Sequence, residues 1–157
     1  MSEPGRGTIF KIYWPAASEV PGEEAPPKPE APARGGTETI LIVDDEADIR
    51  DLTTEALETS GYTVVQAASG EEALTIYLAR DEAIDLVIMD LNMPGMGGRQ
   101  CLLELIHLDS EARVLVASGY SADGPAGEIL GLGAAGFIGK PYRISELLAS
   151  IRDILDR

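Results

Sequence analysis

The sequence predicts an α/β fold in which five strand and helix pairs, (βα)5, follow an N-terminal extension. Residues 40–43, 64–67, 86–89, 114–117 and 137–138 are short apolar runs, mostly β-branched, without the alternation of a half-exposed strand. Such runs suit a parallel sheet covered on both faces. Stretches with helical spacing separate them. The runs also lead into Asp44 and Asp45, Asp90, Ser118 and Lys140, and strand ends are where an open α/β sheet gathers its functional side chains.

Taken in order, residues 5–14 place Phe10, Ile12 and Trp14 on one face of a strand that has no sequence-adjacent partner. Pro15 opens a stretch to Gly36 in which Pro21, Pro26, Pro27, Pro29 and Pro32 stand among Glu and Ala, an extended linker. The predicted division is 1–15 strand remnant, 16–36 linker and 37–157 folded domain. Within that domain, Ile49, Leu52, Thr53, Ala56 and Leu57 mark the first helix. Ala73, Leu74, Tyr77 and Leu78 mark the second, and Leu102, Leu105 and Ile106 the third. Ile144, Leu147, Leu148, Ile151, Ile154 and Leu155 form the apolar stripe of the last. The fourth helix, around 123–132, carries Gly124, Pro125, Gly127 and Gly131, each costing roughly 1 kcal/mol or more relative to alanine in a helix interior. It is expected to be short and mobile.

Composition narrows the function. The 157 residues allow one sizeable core plus a tail. A formal net charge of −15 and a pI near 4.3 argue against nucleic acid, whose phosphates want clustered Lys and Arg. Basic or metal-dependent partners are favoured. Cys101 is the sole cysteine, which excludes an internal disulfide and a Cys-based zinc cage and suits a reducing cytoplasm. No apolar run approaches the roughly 20 residues of a membrane span, and no signal segment is present, so no membrane contact is expected.

Three carboxylates at neighbouring strand ends repel one another unless a hard cation lies between them. Mg²⁺, or Mn²⁺, fits oxygen ligands of this kind. Asp44 or Asp45 alone could equally cap the helix that follows, and Asp90 or Asn92 alone could be a turn residue before Met93-Pro94-Gly95. In combination, Asp90 is the candidate nucleophile of phosphoryl transfer, Lys140 the counter-charge and Ser118 a hydroxyl donor to the phosphoryl oxygens. His107, near the end of the third helix, reads as a surface residue, and Met93 and Met96 as loop and core packing.

Four segments resemble the receiver domain of two-component response regulators: I-L-I-V-D-D-E at 40–46, V-I-M-D-L-N-M-P-G-M-G-G at 87–98, V-L-V-A-S-G-Y at 114–120 and G-A-A-G-F-I-G-K-P-Y at 133–142. The resemblance spans about 37–157. It implies a flavodoxin-like three-layer sandwich with parallel strand order 2-1-3-4-5. It also implies Asp90 as phospho-acceptor, Asp45 as direct metal ligand with Asp44 acting through water, and the backbone carbonyl of Asn92 as a further ligand. Lys140 and Ser118 would contact the phosphoryl group, Pro141 would follow a cis peptide bond, and Ser118 with Phe137 would form the conformational switch. Phe137 lacks the hydroxyl of the family's tyrosine variant, and Ser118 lacks the methyl of the commoner threonine. Asn92 and Tyr120 would flank the water that removes the phosphoryl group.

The segment S-E-P-G-R-G-T-I-F-K-I-Y-W-P at 2–15 is similar to the end of the ATP-binding domain of sensor histidine kinases. With the linker and receiver behind it, the chain resembles the C-terminal piece of a hybrid histidine kinase. Neither a nucleotide lid nor an ATP box precedes the linker, so the expected chemistry is self-phosphorylation and dephosphorylation rather than kinase activity. The expected partners are a histidine kinase phosphohistidine domain or a histidine phosphotransfer protein. A dimer could form through the fourth and fifth helix face or through the orphan strand. With no DNA-binding segment after Arg157, output is expected within the chain or through another protein. A free-standing regulator and a docking module that is never phosphorylated are the alternatives. An aspartate-based phosphohydrolase would want an acid where Asn92 stands, and a flavodoxin-like nucleotide module a phosphate-cradling loop where Asp44 and Asp45 stand.

Overall fold

The computed structural model describes residues 34–81, 83–119 and 125–157. The strand expected at 5–14, most of the linker, and Tyr120 lie outside them. Ten elements alternate: β1 (Thr39–Val43), α1 (Ala47–Thr59), β2 (Thr63–Ala67), α2 (Gly70–Ala79), β3 (Leu86–Asp90), α3 (Gly97–Leu108), β4 (Val114–Ser118), α4 (Pro125–Gly131), β5 (Gly136–Gly139) and α5 (Ile144–Leu155). The five strands form one parallel sheet in the order β2-β1-β3-β4-β5, as the sequence led one to expect.

The two-residue period of a strand divides the core into two layers. Leu41, Val43, Val87, Met89, Val114 and Val116 face α2, α3 and α4, and pack with Ala73, Cys101, Leu102, Leu105 and Ile129. Their neighbours Ile40, Ile42, Leu86, Ile88, Leu115 and Ala117 face α1 and α5, and pack with Leu57, Leu147, Leu148, Ile151 and Ile154. Both sides of β3 and β4 are therefore buried throughout, which explains runs that are apolar without alternation. β2 is an edge strand and only Ala67 in it is buried. Full burial of each valine, leucine, isoleucine or methionine in these layers stabilises the fold by roughly 1.5–3 kcal/mol.

Met93 joins the core and Met96 packs against it, while His107 is exposed in the last turn of α3. The fourth helix is seven residues long, within the range expected for it. At the end of the sheet remote from Asp90, Arg152 of α5 donates to Glu38 at 2.6 Å and lies over the Tyr62 ring, 5.7 Å from its centroid. No helix among the described residues is long and apolar enough to cross a membrane.

The Tyr77 hydroxyl donates to Asp109 Oδ2 at 2.8 Å, tying α2 to the end of α3. Burial, then the Asp109 carboxylate beside it, push the phenol up to about 12. Because the folded value is the raised one, the stabilisation is complete below pH 10, where an unfolded tyrosine begins to ionise, and is lost as pH rises through about 12. Tyr77→Phe is expected to cost about 1 kcal/mol at pH 8. In paired urea titrations, the advantage of the wild type should disappear at the alkaline end. A constant difference from pH 8 to 12 would contradict this origin.

Candidate phospho-acceptor site

Register assembles the site. Val43 pairs with Met89, so Asp44, one residue beyond, arrives beside Asp90 at the end of β3. Asp90 pairs with Ala117, which places Ser118 next to it, and Ser118 pairs with Gly139, which brings up Lys140. The backbone N–H of Lys140 donates to the Ser118 carbonyl at 2.7 Å. Residues up to 96 positions apart in sequence thus meet at one edge of the sheet.

Asp44 and Asp90 are only 4% and 6% exposed and Ser118 is fully buried, whereas Asp45 is open to solvent. Carboxylate oxygens of Asp44, Asp45 and Asp90 lie within 4.8 Å of one another. At about 4 Å two like charges near a protein surface repel by about 4 kcal/mol. Lys140 relieves part of this, its Nζ standing 2.8 Å from Asp44 Oδ2 and 3.2 Å from Asp90 Oδ2. Burial alone would lower the ammonium pKa, but the hydrogen bond and charge of Asp44, then those of Asp90, hold it above its ordinary value.

Three neighbouring carboxylates and one ammonium, which contacts Asp44 and Asp90, leave a formal imbalance of two negative charges. All the donors are hard oxygens, and a small divalent cation answers both features. Asp44 has both oxygens engaged, Oδ1 by the Glu46 N–H at 2.9 Å and Oδ2 by Lys140. Asp90 Oδ1 accepts the Asn92 N–H at 3.2 Å. The Asp45 carboxylate makes no such bond to any described residue and is the most accessible of the three.

Asp44 and Asp45 were equally readable as helix caps. Glu46 occupies the N-cap position of α1 without a side-chain cap, and Asp44 accepts its N–H while also pairing with Lys140. The cap and the charge cluster share one residue. Lys140, expected on a phosphoryl group, pairs here with Asp44 and Asp90. The Lys140–Pro141 bond is cis. Phe137 is half-buried in β5 against the α2, α3 and α4 layer, and Asn92 is exposed.

A family model described as "Response regulator receiver domain" matches residues 40–152. This chain belongs to the response regulator receiver family. It is 34% identical to "Sensor kinase CckA" of Brucella abortus (strain 2308) over 99% of its own length but only 17% of that protein. It spans about half of several other relatives, 49% and 46% in two cases. Against "Sporulation initiation phosphotransferase F" of Bacillus subtilis (strain 168) it is 36% identical over 75% of its length and 94% of the relative. The solved structure of response regulator TrrA from Thermotoga maritima, in complex with Mg²⁺ and BeF, superposes with a TM-score of 0.68. There the identity is 31%, over 76% of this chain and all of that one.

Several residues of this receiver's site were not legible in sequence. Arg50 donates from its guanidinium to the Asp44 carbonyl at 2.6 Å, a contact that one turn of α1 permits but no motif announces. Beside Lys140 the surface opens into an apolar groove of about 400 Å³, lined among others by Ile49, Leu52, Pro141, Tyr142 and Ile144. Leu52, a member of the helical stripe of α1, is 64% exposed at this groove.

Proposed function

We propose that this receiver takes a phosphoryl group from a phosphohistidine onto Asp90 and switches conformation through Ser118 and Phe137. The observation that carries the reading is the strand register, which sets the buried Asp90 carboxylate beside Asp44, Asp45 and the Lys140 ammonium. An Asp90 oxygen attacks phosphorus, the P–N bond to the imidazole breaks, and the imidazole leaves as it takes up a proton. The products are an acyl phosphate and a neutral histidine. Asp45, Asp90 and the Asn92 carbonyl are the residues that would hold Mg²⁺ or Mn²⁺, with Asp44 assisting through water. The cation supplies neutralisation of the attacking oxygen and of the transferred group. Lys140, released from Asp90 as that carboxylate becomes an acyl phosphate, turns its charge to the phosphoryl oxygens, and Ser118 donates its hydroxyl to one of them. The rearrangement biases two pre-existing packings of Phe137 and the α4–β5–α5 face.

The likeness to a sensor kinase over nearly the whole chain, including residues before the family match, supports a hybrid histidine kinase as the parent protein, and we assign the receiver to its C-terminal end. We assign 1–15 to the end of its ATP-binding domain, 16–36 to the linker and 37–157 to the receiver, working in the cytoplasm. The donor is a histidine kinase or a histidine phosphotransfer protein, and the apolar groove beside Lys140 is where its helix would sit.

The test is intact-mass analysis of the whole chain after incubation with acetyl phosphate. One phosphoryl group should be gained with Mg²⁺, none with a chelator, and hydroxylamine should remove it. No gain with Mg²⁺ overturns the reading; an equal gain in chelator overturns its metal dependence.

A further inference from the structure

The loop between β3 and α3 carries Asn92, and three hydrogen bonds hold it. Asn92 N–H meets Asp90 Oδ1 at 3.2 Å, Gly98 N–H meets the Leu91 carbonyl at 3.3 Å, and Met96 N–H meets Glu71 Oε1 at 3.0 Å. The first two are local. The third crosses 25 residues from the first turn of α2.

Glu71 and its neighbour Glu72 divide their work. Glu72 belongs to its own helix start, accepting the Ala68 N–H at 2.7 Å while Ser69 Oγ accepts the Glu72 N–H. Glu71 serves another helix. Met96 is the N-cap position of α3 and provides no side-chain cap, and Gly97 and Gly98 follow it. Glu71 therefore supplies from α2 the acceptor that α3 lacks, with a negative charge at the helix N-terminus where the dipole favours it.

The fit is close. A Cβ on Gly70 would stand 3.0 Å from Cys101 Cβ and 3.4 Å from Met96 Sδ, so the start of α2 lies close against α3 and its N-cap residue. Gly95, with φ +77°, leaves room for the carboxylate: a Cβ there would stand 3.0 Å from Glu71 Oε1. Hydrogen bonds from Glu71's own backbone and from Met96 hold the Glu71 carboxyl below its ordinary pKa.

We propose that Glu71 is a positioning residue for the acceptor loop, fixing Met96 and through it the Asn92 backbone, so that the loop is preset to receive the divalent cation. The inference rests on the reading of Asn92 as a metal ligand. Outer partners of a metal's ligands commonly change its affinity about tenfold or more, and Glu71 acts through a loop, so the lower end applies.

Glutamine at this position keeps a carbonyl acceptor and loses the charge, whereas alanine loses both. Mg²⁺ binding to the full chain is measured by titration calorimetry, with hydrogen exchange at the Met96 amide. Glu71→Ala should weaken Mg²⁺ about tenfold and expose the Met96 amide, and Glu71→Gln should restore both to near wild type. Unchanged Mg²⁺ affinity in Glu71→Ala overturns the proposal, and equal weakening in both variants assigns the effect to charge and overturns it too. A wild-type chain that binds no Mg²⁺ overturns the metal-site reading itself, so the two failures are distinguishable.

Discussion

Exchanging Asp90 for asparagine is expected to abolish phosphoryl uptake from acetyl phosphate and, in metal-free buffer, to raise the melting temperature. An amide oxygen cannot form the acyl phosphate, and no other carboxylate takes its place: Asp44 is committed to Lys140 and Glu46, and Asp45 is exposed at the rim. The stability gain has a separate origin. Removing one of three carboxylates within 4.8 Å relieves repulsion, while the loss of its 3.2 Å contact with Lys140 offsets part of that relief. Asparagine still offers a carbonyl to the Asn92 N–H. A net gain of about 1 kcal/mol corresponds to a few degrees in a domain of this size. In the wild type, Mg²⁺ at 100 times its dissociation constant should add about 2.7 kcal/mol, and the variant should lose most of that response. Calorimetric melts with and without Mg²⁺ decide it. A variant that melts lower without metal would contradict the charge balance drawn for the cluster, and a phosphorylated variant would remove Asp90 from its role.

Gly98→Ala is expected to destabilise the domain by about 3 kcal/mol, the severe end for overpacking, against local preference. Alanine in a helix is ordinarily favoured over glycine by about 1 kcal/mol. At Gly98, in the first turn of α3, a Cβ would lie 2.0 Å from the Asp90 carbonyl oxygen and 2.7 Å from Leu91 Cα. Both are backbone atoms and cannot rotate aside. The helix must slide off the end of β3, taking the acceptor loop with it, so phosphorylation should slow as well. Gly127→Ala in α4 is the control, because among the described residues nothing lies within 4 Å of a Cβ there, and it should be neutral or stabilising by up to about 1 kcal/mol. Urea unfolding of the two variants measures the contrast. Equal stability in both would show that α3 and β3 can separate at little cost.

Much of the fold was legible because burial on both sides writes itself as uninterrupted apolar residues. Val87, Ile88 and Met89 are all buried, yet they point alternately into two layers, so no amphipathic signal was needed to find the strand. The strand-end residues were legible for a related reason: a polar residue after such a run stands at the sheet edge. The order of the strands came from the resemblance to receivers and not from the runs themselves. Contacts made by flexible side chains across distant segments stayed hidden. Arg152 and Glu38 are 114 residues apart, and Glu71 reads as an ordinary first-turn acid until α2 is set beside Met96.

From the sequence alone came the strand and helix alternation, the burial of the sheet and the set of residues at its edge, because each follows from local periodicity and from where an apolar run stops. Only the tertiary structure decided which of those residues touch. Parallel pairing in a fixed register brings Asp90 beside Asp44 and Lys140, and the packing of α2 on α3 turns Glu71 toward the acceptor loop. Distances of this kind depend on how whole elements fit together, and no periodicity along the chain encodes them.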